Sequence, residues 1–281
     1  MDISNNRPPR VKSIYAYLKE ALRFYDTDNP RVAQISFVIQ LFVIFGGYIM
    51  MGPYARDFYS MLEKIGTSGF NLSLINSEAY KAMINSAVNI MAIMAAIRVI
   101  TYFVSLFYGV WYYHGRVQPS LSGKERASVF FKRLPKLIFY NFVFYAVFFI
   151  IAIVCLTATE ILAYIFPLFA VLTIMMPIIF LIIDTLFIFK DLLIVEFDSG
   201  FFRTIKKSLD VTKGCRKNVV VNALWLLFLR WILNALSMDM QNQMLALFIM
   251  SFMEVIFLLT FQRLTVLMYI DAASLEQNAQ K

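Results

Sequence analysis

The chain has 281 residues, 60% of them hydrophobic, with 28 Phe, 15 Tyr, 10 Gly, 8 Pro and a net charge of +8. Soluble domains are about 45–50% apolar, so this excess, with a mean hydropathy of +0.68, points to a membrane protein and excludes collagen-like, disordered and low-complexity chains. The basic residues form short runs beside apolar segments, a pattern that reports membrane topology and argues against nucleic-acid binding.

In chain order, residues 10–25 place Val11, Ile14, Tyr15, Leu18, Leu22 and Tyr25 at helical spacing, with Arg10, Lys12, Lys19 and Arg23 largely between them. This predicts an amphipathic helix with a basic face, suited to an anionic membrane surface and ended by the run Asp26 to Pro30. Six apolar segments follow, at about 32–54, 85–113, 137–158, 164–189, 218–237 and 244–270. Each is near the twenty or so residues that cross about 30 Å of hydrocarbon. The third and fourth are separated only by the stretch Thr157 to Leu162. The expected fold class is therefore all-α, a polytopic bundle of six transmembrane helices with amphipathic interfacial helices. The organisation expected is a cytoplasmic N-terminal helix over 1–30, a transmembrane domain over 31–271 and a cytoplasmic tail over 272–281.

Lysine and arginine set the orientation. Arg7, Arg10, Lys12, Lys19, Arg23 and Arg31 precede the first span, and Arg116, Lys124, Arg126, Lys132, Arg133 and Lys136 follow the second. Lys190, Arg203, Lys206, Lys207, Lys213, Arg216 and Lys217 follow the fourth, while the opposite side carries only Arg56, Lys64 and Lys81. The positive-inside rule then puts both termini in the cytoplasm of a multi-pass cell-membrane protein, or of an ER-type membrane in a eukaryote. The loop near 55–84 contains an Asn71-Leu72-Ser73 sequon, relevant only in a glycosylating lumen. The first thirty residues lack a continuous apolar stretch, so no cleavable signal peptide is expected.

Five ionisable residues interrupt the apolar segments: Arg98, Asp184, Arg230, Glu254 and Arg263. A charge at the centre of a span costs roughly 2.5–3.5 kcal/mol, so such residues normally face protein and have partners. Arg230 lies eight residues before Met238 and Glu254 ten after Met244, which matches their depths. Asp184 lies six residues before Lys190 and Arg263 eight before Asp271, again at similar depth. The expected contacts are Arg230–Glu254 and Asp184–Arg263, with Arg98 left over or competing for Glu254. Asn234 falls one turn from Arg230, and Thr173, Pro177, Asp184 and Asp191 line up on the fourth segment. Three readings stay open: structural pairs that lock a bundle, an anion site for a lipid phosphate or carboxylate centred on Arg98, and a proton or ion relay through Asp184 and Glu254.

Residues 199–214 predict a second amphipathic helix, with Phe202, Ile205 and Leu209 as its apolar stripe, Lys206 and Lys207 on its basic side and Gly214 as its stop. It reads as an interfacial helix or as a docking helix for a cytoplasmic partner such as an ATPase. Ser128–Lys132 and Ser199–Arg203 repeat one pattern, Ser-x-Phe-Phe-basic, each before an odd-numbered span, which permits an internal duplication. Cys155 and Cys215, at different depths, form no expected disulfide. The single histidine, His114, follows three aromatic residues as in an interfacial belt. Zinc spacings, the GxSxG elbow and the P-loop are absent, so no catalytic residue, metal or cofactor is assigned and no enzymatic activity is expected.

The stretch Phe189 to Val219 (FKDLLIVEFDSGFFRTIKKSLDVTKGCRKNV) resembles the signature of prokaryotic six-helix membrane proteins that include the membrane domain of some glycerophosphodiester phosphodiesterases and its stand-alone relatives. Ile205, Lys206 or Lys207, Ser208 and Gly214 occupy the matching places. The resemblance implies a six-helix architecture in a lipid-related setting, with no reaction transferred, since the phosphodiesterase domain is missing. The functional expectation is a non-catalytic protein in contact with the bilayer and with anionic phospholipid, accessory to transport or to lipid and envelope homeostasis. The alternative is a transporter or ABC-type permease subunit working with a separate ATPase.

Overall fold

Within hydrocarbon every backbone N–H and C=O must be bonded inside the chain, which turns long apolar runs into helices. A computed structural model describes residues 11–68, 78–166, 170–197, 200–237 and 242–274, and among them there are nine α-helices and no strand. They are α1 (Ile14–Leu22), α2 (Pro30–Ser68), α3 (Glu78–Val117), α4 (Gly123–Ile165), α5 (Ala170–Leu186), α6 (Lys190–Glu196), α7 (Phe201–Val211), α8 (Arg216–Ser237) and α9 (Gln243–Ala273). The Asn71 sequon, Arg7, Arg10, the Asn234 side chain and the tail beyond Ser274 fall outside the described residues.

Five helical stretches are long and apolar enough to cross a membrane: Pro30–Lys64, Tyr80–Val117, Gly123–Ile165, Ala170–Glu196 and Gln243–Ala273. The predicted fifth segment, 218–237, is helical as α8 but is not one of these five. The break expected at Thr157 to Leu162 is absent, because α4 runs through it to Ile165. No glycine or proline interrupts that stretch, and Thr159 donates its hydroxyl back to the Leu156 carbonyl at 2.8 Å, so its polar groups are satisfied within the helix. At the other end, Ser122 and Glu125 cap α4 reciprocally: the Ser122 N–H donates to Glu125 Oε2 at 2.8 Å and the Glu125 N–H to Ser122 Oγ at 3.4 Å.

The chain divides into two compact units. The first comprises residues up to Asp28, Phe107–Leu229 and Thr260 onward. In it α4 packs on α5 and α6, and α6 on α7. Its centre is aromatic: Tyr269 lies 5.8 Å from Tyr113 and 5.5 Å from Phe189, ring to ring, and all three are buried. The Tyr269 hydroxyl donates to Glu196, which satisfies the one polar atom of that side chain.

α1 is fastened to this unit by hydrogen bonds. Asn218 and Asn222 of α8 donate to the carbonyls of Val11 (2.6 Å) and Lys12 (3.0 Å), and Tyr17 donates to Asp271 Oδ2 at 2.6 Å. Burial and the Asp271 hydrogen bond push the Tyr17 hydroxyl above its ordinary range, so it remains a donor. Those bonds choose the face that α1 buries, Ile14, Tyr17 and Ala21, with Val11 buried just before it. The expected stripe is therefore corrected, since Tyr15 is 75% exposed and Leu22 and Tyr25 are exposed too. α7 differs in the same way. It buries Thr204 and Ser208, while Phe202 is 83% exposed and Ile205 and Leu209 are half-buried. Gly214, at φ 86°, follows α7 in the turn leading to α8.

The second unit comprises Asn29–Leu106 and Arg230–Leu259. Phe37 and Phe45 of α2 meet Phe252 and Phe248 of α9 edge-on, with centroids 5.3 and 5.6 Å apart. On α2, Gly47 lies where a Cβ would run into the Ile97 side chain of α3, whereas a Cβ on Gly46 would meet nothing within 4 Å. A small residue is what allows such close helix approach. Gly47→Leu is expected to cost about 1–3 kcal/mol by overpacking, while Gly46→Ala, which only raises helix propensity, should leave stability unchanged or higher. Thermal unfolding of both variants in detergent checks this; equal melting temperatures would remove the close-approach argument.

Candidate functional site

Glu254, only 4% exposed, is the focus of the second unit. Arg230 grips it side-on with one edge of the guanidinium: Nε donates to Oε2 at 2.6 Å and Nη2 to Oε1. Arg98 adds a third donor, Nη1 to Oε1 at 3.1 Å. A bidentate arginine is the strongest partner a carboxylate finds in protein, and here a second cation shares it. Arg98 is thus not left over, and the anion site centred on it loses its basis. Tyr48 and Thr101 line a void of about 20 Å³ beside the trio, too small for a headgroup. Thr101 turns its hydroxyl to the Ile97 carbonyl at 2.7 Å.

The Asp184–Arg263 contact is not formed. Arg263 is 3% exposed and donates Nη1 to the carbonyls of Arg23 and, at 2.7 Å, Asp26, while its guanidinium carbon sits 4.2 Å from the centre of the Tyr112 ring. Its partners are backbone carbonyls at the C-terminal end of α1 and in the following turn, where the Arg23 carbonyl also accepts from the Asp26 N–H at 2.8 Å. Asp184 instead stands within electrostatic reach of Lys190 and Asp191, with its Oδ1 buried and without a hydrogen-bond partner. Lys190 donates to the Tyr145 hydroxyl at 3.2 Å and lies over the Phe144 ring at 5.0 Å, and Asp191 accepts from Asn141 at 2.9 Å. Thr173, on the same helix face as Asp184, also keeps a buried unpartnered hydroxyl. His114 is buried, with Nδ1 3.2 Å from Gln118 Oε1, and so is not exposed in an interfacial belt.

The first unit has a cavity of about 610 Å³ where the C-terminal end of α1, the turn that follows it, the end of α3 and Arg263 of α9 converge. Its cations are Lys19, Arg23, Arg116 and Arg263, and its carboxylates Glu20, Asp26 and Asp28. Glu20 accepts from Arg116 at 3.1 Å and from the Tyr112 hydroxyl at 2.9 Å. Asp28 accepts from Arg126, a 5% exposed residue of α4, and from the Trp111 indole at 3.1 Å. The turn itself is pinned by Tyr108, whose hydroxyl donates to the Phe24 carbonyl at 2.7 Å. From the sequence, Lys19 and Arg23 read as the basic face of the N-terminal helix and, with Arg116, as topology markers; the mixed-charge run from Lys19 to Asp28 is the signal that points to the cavity.

Among the described residues no group of three or more His, Cys, Asp or Glu side chains is placed to hold a metal ion. Phe202, Ile205, Lys206, Lys207 and Leu209 share α7, where Lys207 Nζ sits 3.4 Å from the centre of the Phe197 ring.

Removing one partner of a buried charge cluster leaves the others uncompensated, at about 3–5 kcal/mol. Glu254→Gln is therefore expected to unfold the protein at markedly lower temperature. Arg98→Gln should cost less, because Arg98 gives Glu254 a single hydrogen bond and the Arg230 fork survives its loss. Comparable losses from both changes, measured by thermal unfolding in one detergent, would contradict this ranking.

Comparison with family models, with curated proteins and with solved structures finds no match for this chain.

Proposed function

We propose that the chain is a multi-pass membrane protein of six spanning helices with both termini in the cytoplasm, which holds a phospholipid headgroup and serves lipid or envelope homeostasis without catalysis of its own. The observation that carries this reading is the charged cavity of about 610 Å³, in which Lys19 and Arg23 from the first basic region meet Arg116 from the second. The positive-inside rule assigns both regions to the cytoplasmic side, where anionic lipids give the leaflet surface a negative potential. α8 supplies the sixth crossing, which the alternation of basic and non-basic connections requires. The resemblance over Phe189 to Val219 agrees with a lipid-related setting.

A second reading, a permease subunit that docks an ATPase on α7, is favoured by one observation: Phe202 is 83% exposed beside the exposed Arg203 and Lys206. An interfacial helix uses such a residue equally well, by inserting it among lipid headgroups.

In a background lacking Cys155 and Cys215, a membrane-impermeant maleimide is expected to label Ser60→Cys on intact cells, and Ser120→Cys and Ser274→Cys only after permeabilisation. The reverse pattern sinks the orientation. Gentle purification should retain phospholipid detectable by mass spectrometry; recovery of an ATPase in its place would move the second reading ahead.

A further inference from the structure

The charges around the cavity do not cancel. Glu20 and Asp28 are each engaged, by Arg116 and Arg126 respectively. Arg263 is solvated by carbonyl dipoles, which satisfy N–H groups without neutralising the charge. Among the described residues no carboxylate forms an ion pair with Lys19, Arg23 or Arg263, and the one wall carboxylate without an ion pair is Asp26. Three cations against one anion leave a surplus of two positive charges around a space large enough for a ligand, since small-molecule sites run about 300–1,000 Å³.

Arg263 adds a directional demand. It is 3% exposed, it lines the cavity, and its Nε is buried with no hydrogen-bond acceptor in the structure. An orphaned N–H on a buried guanidinium is costly unless something supplies an oxygen. The Tyr112 ring and the two carbonyls hold the guanidinium plane, so this donor is fixed in advance of binding, whereas Lys19 and Arg23 are exposed on flexible stems and free to close on a ligand.

We propose that this cavity is a phosphate site, taking a phosphate monoester whose oxygens accept from Arg263 Nε and are charge-matched by Lys19 and Arg23. A monoester carries about −1.5 to −2 at neutral pH and three strong acceptor oxygens, which matches the surplus and the orphaned donor together; a lone carboxylate would leave half the surplus standing. The chemistry is shared by the headgroup of phosphatidic acid and by soluble phosphate esters. The lipid-handling function proposed above bears on the source of the phosphate, and the site itself stands on its charges and geometry.

The test uses the full chain in phosphatidylcholine nanodiscs. Glycerol 3-phosphate is titrated by calorimetry, and separately the protein is extracted from phosphatidylcholine vesicles doped with phosphatidic acid and examined by native mass spectrometry. Binding is expected in at least one arm, weakened about tenfold or more in the double variant Lys19→Ala/Arg23→Ala, whose exposed positions leave folding intact. Arg263→Lys, which keeps the charge and loses the Nε donor, should weaken it as well. Binding of glycerol 3-phosphate alone supports the site while removing the lipid-handling function. Phosphatidic acid bound equally by wild type and double variant overturns the site while leaving lipid handling in place. Absence of binding in both arms overturns the site.

Discussion

Glu254 is a carboxylate in an apolar stretch of α9, and its burial at 4% exposure requires neutralisation from within the chain. Arg230 does so with a two-pronged grip and Arg98 with a single bond. The second unit is organised around that requirement, because three side chains on three stretches of chain must arrive at one point. The phenylalanine pairs Phe37–Phe252 and Phe45–Phe248 add contact area along α2 and α9, but apolar contacts slide easily past one another. A charge cluster does not, and so it sets the register in which the apolar faces meet.

The first unit solves a related problem with different material. Arg263 has no carboxylate partner, and the oxygens it uses are main-chain carbonyls at the end of α1. The arrangement serves both sides: the turn after α1 is tied to α9, and a buried cation gains acceptors while keeping its full charge. The same side chain therefore fastens the N-terminal helix and leaves a positive potential in the cavity beside it.

How much of this was legible follows from what each partner needed. Long apolar segments announce helices directly, and an arginine and a glutamate at equal distances from the turn between successive apolar segments announce a pair, which is why Arg230 and Glu254 could be matched. Arg263 could not be matched that way, because its acceptors are backbone atoms and every residue carries those. Depth alone joined it wrongly to Asp184, whose surroundings hold Lys190 and Asp191 instead. Hydropathy likewise misplaced the stripe of α1, since the buried face was decided by the bond from Tyr17 to Asp271, 254 residues away. The continuity of α4 was hidden for the opposite reason: Thr157, Thr159 and Glu160 look like a break, yet a threonine hydroxyl can bond back to its own helix.

α4 has 43 residues, with Pro135 near the junction of its polar and apolar parts, and at 1.5 Å per residue it is about 65 Å long. Hydrocarbon is about 30 Å thick, and a tilt of about 20° shortens the helix's projection by only a few ångströms. If the apolar remainder of α4 crosses the bilayer, its polar stretch, from Gly123 to Lys136, stands clear of the acyl chains. Arg126 on that stretch binds Asp28 in the wall of the charged cavity, so in the orientation proposed above the cavity would lie at the height of headgroups and water. A phosphate could enter there sideways from the leaflet surface, with its acyl chains never leaving the bilayer.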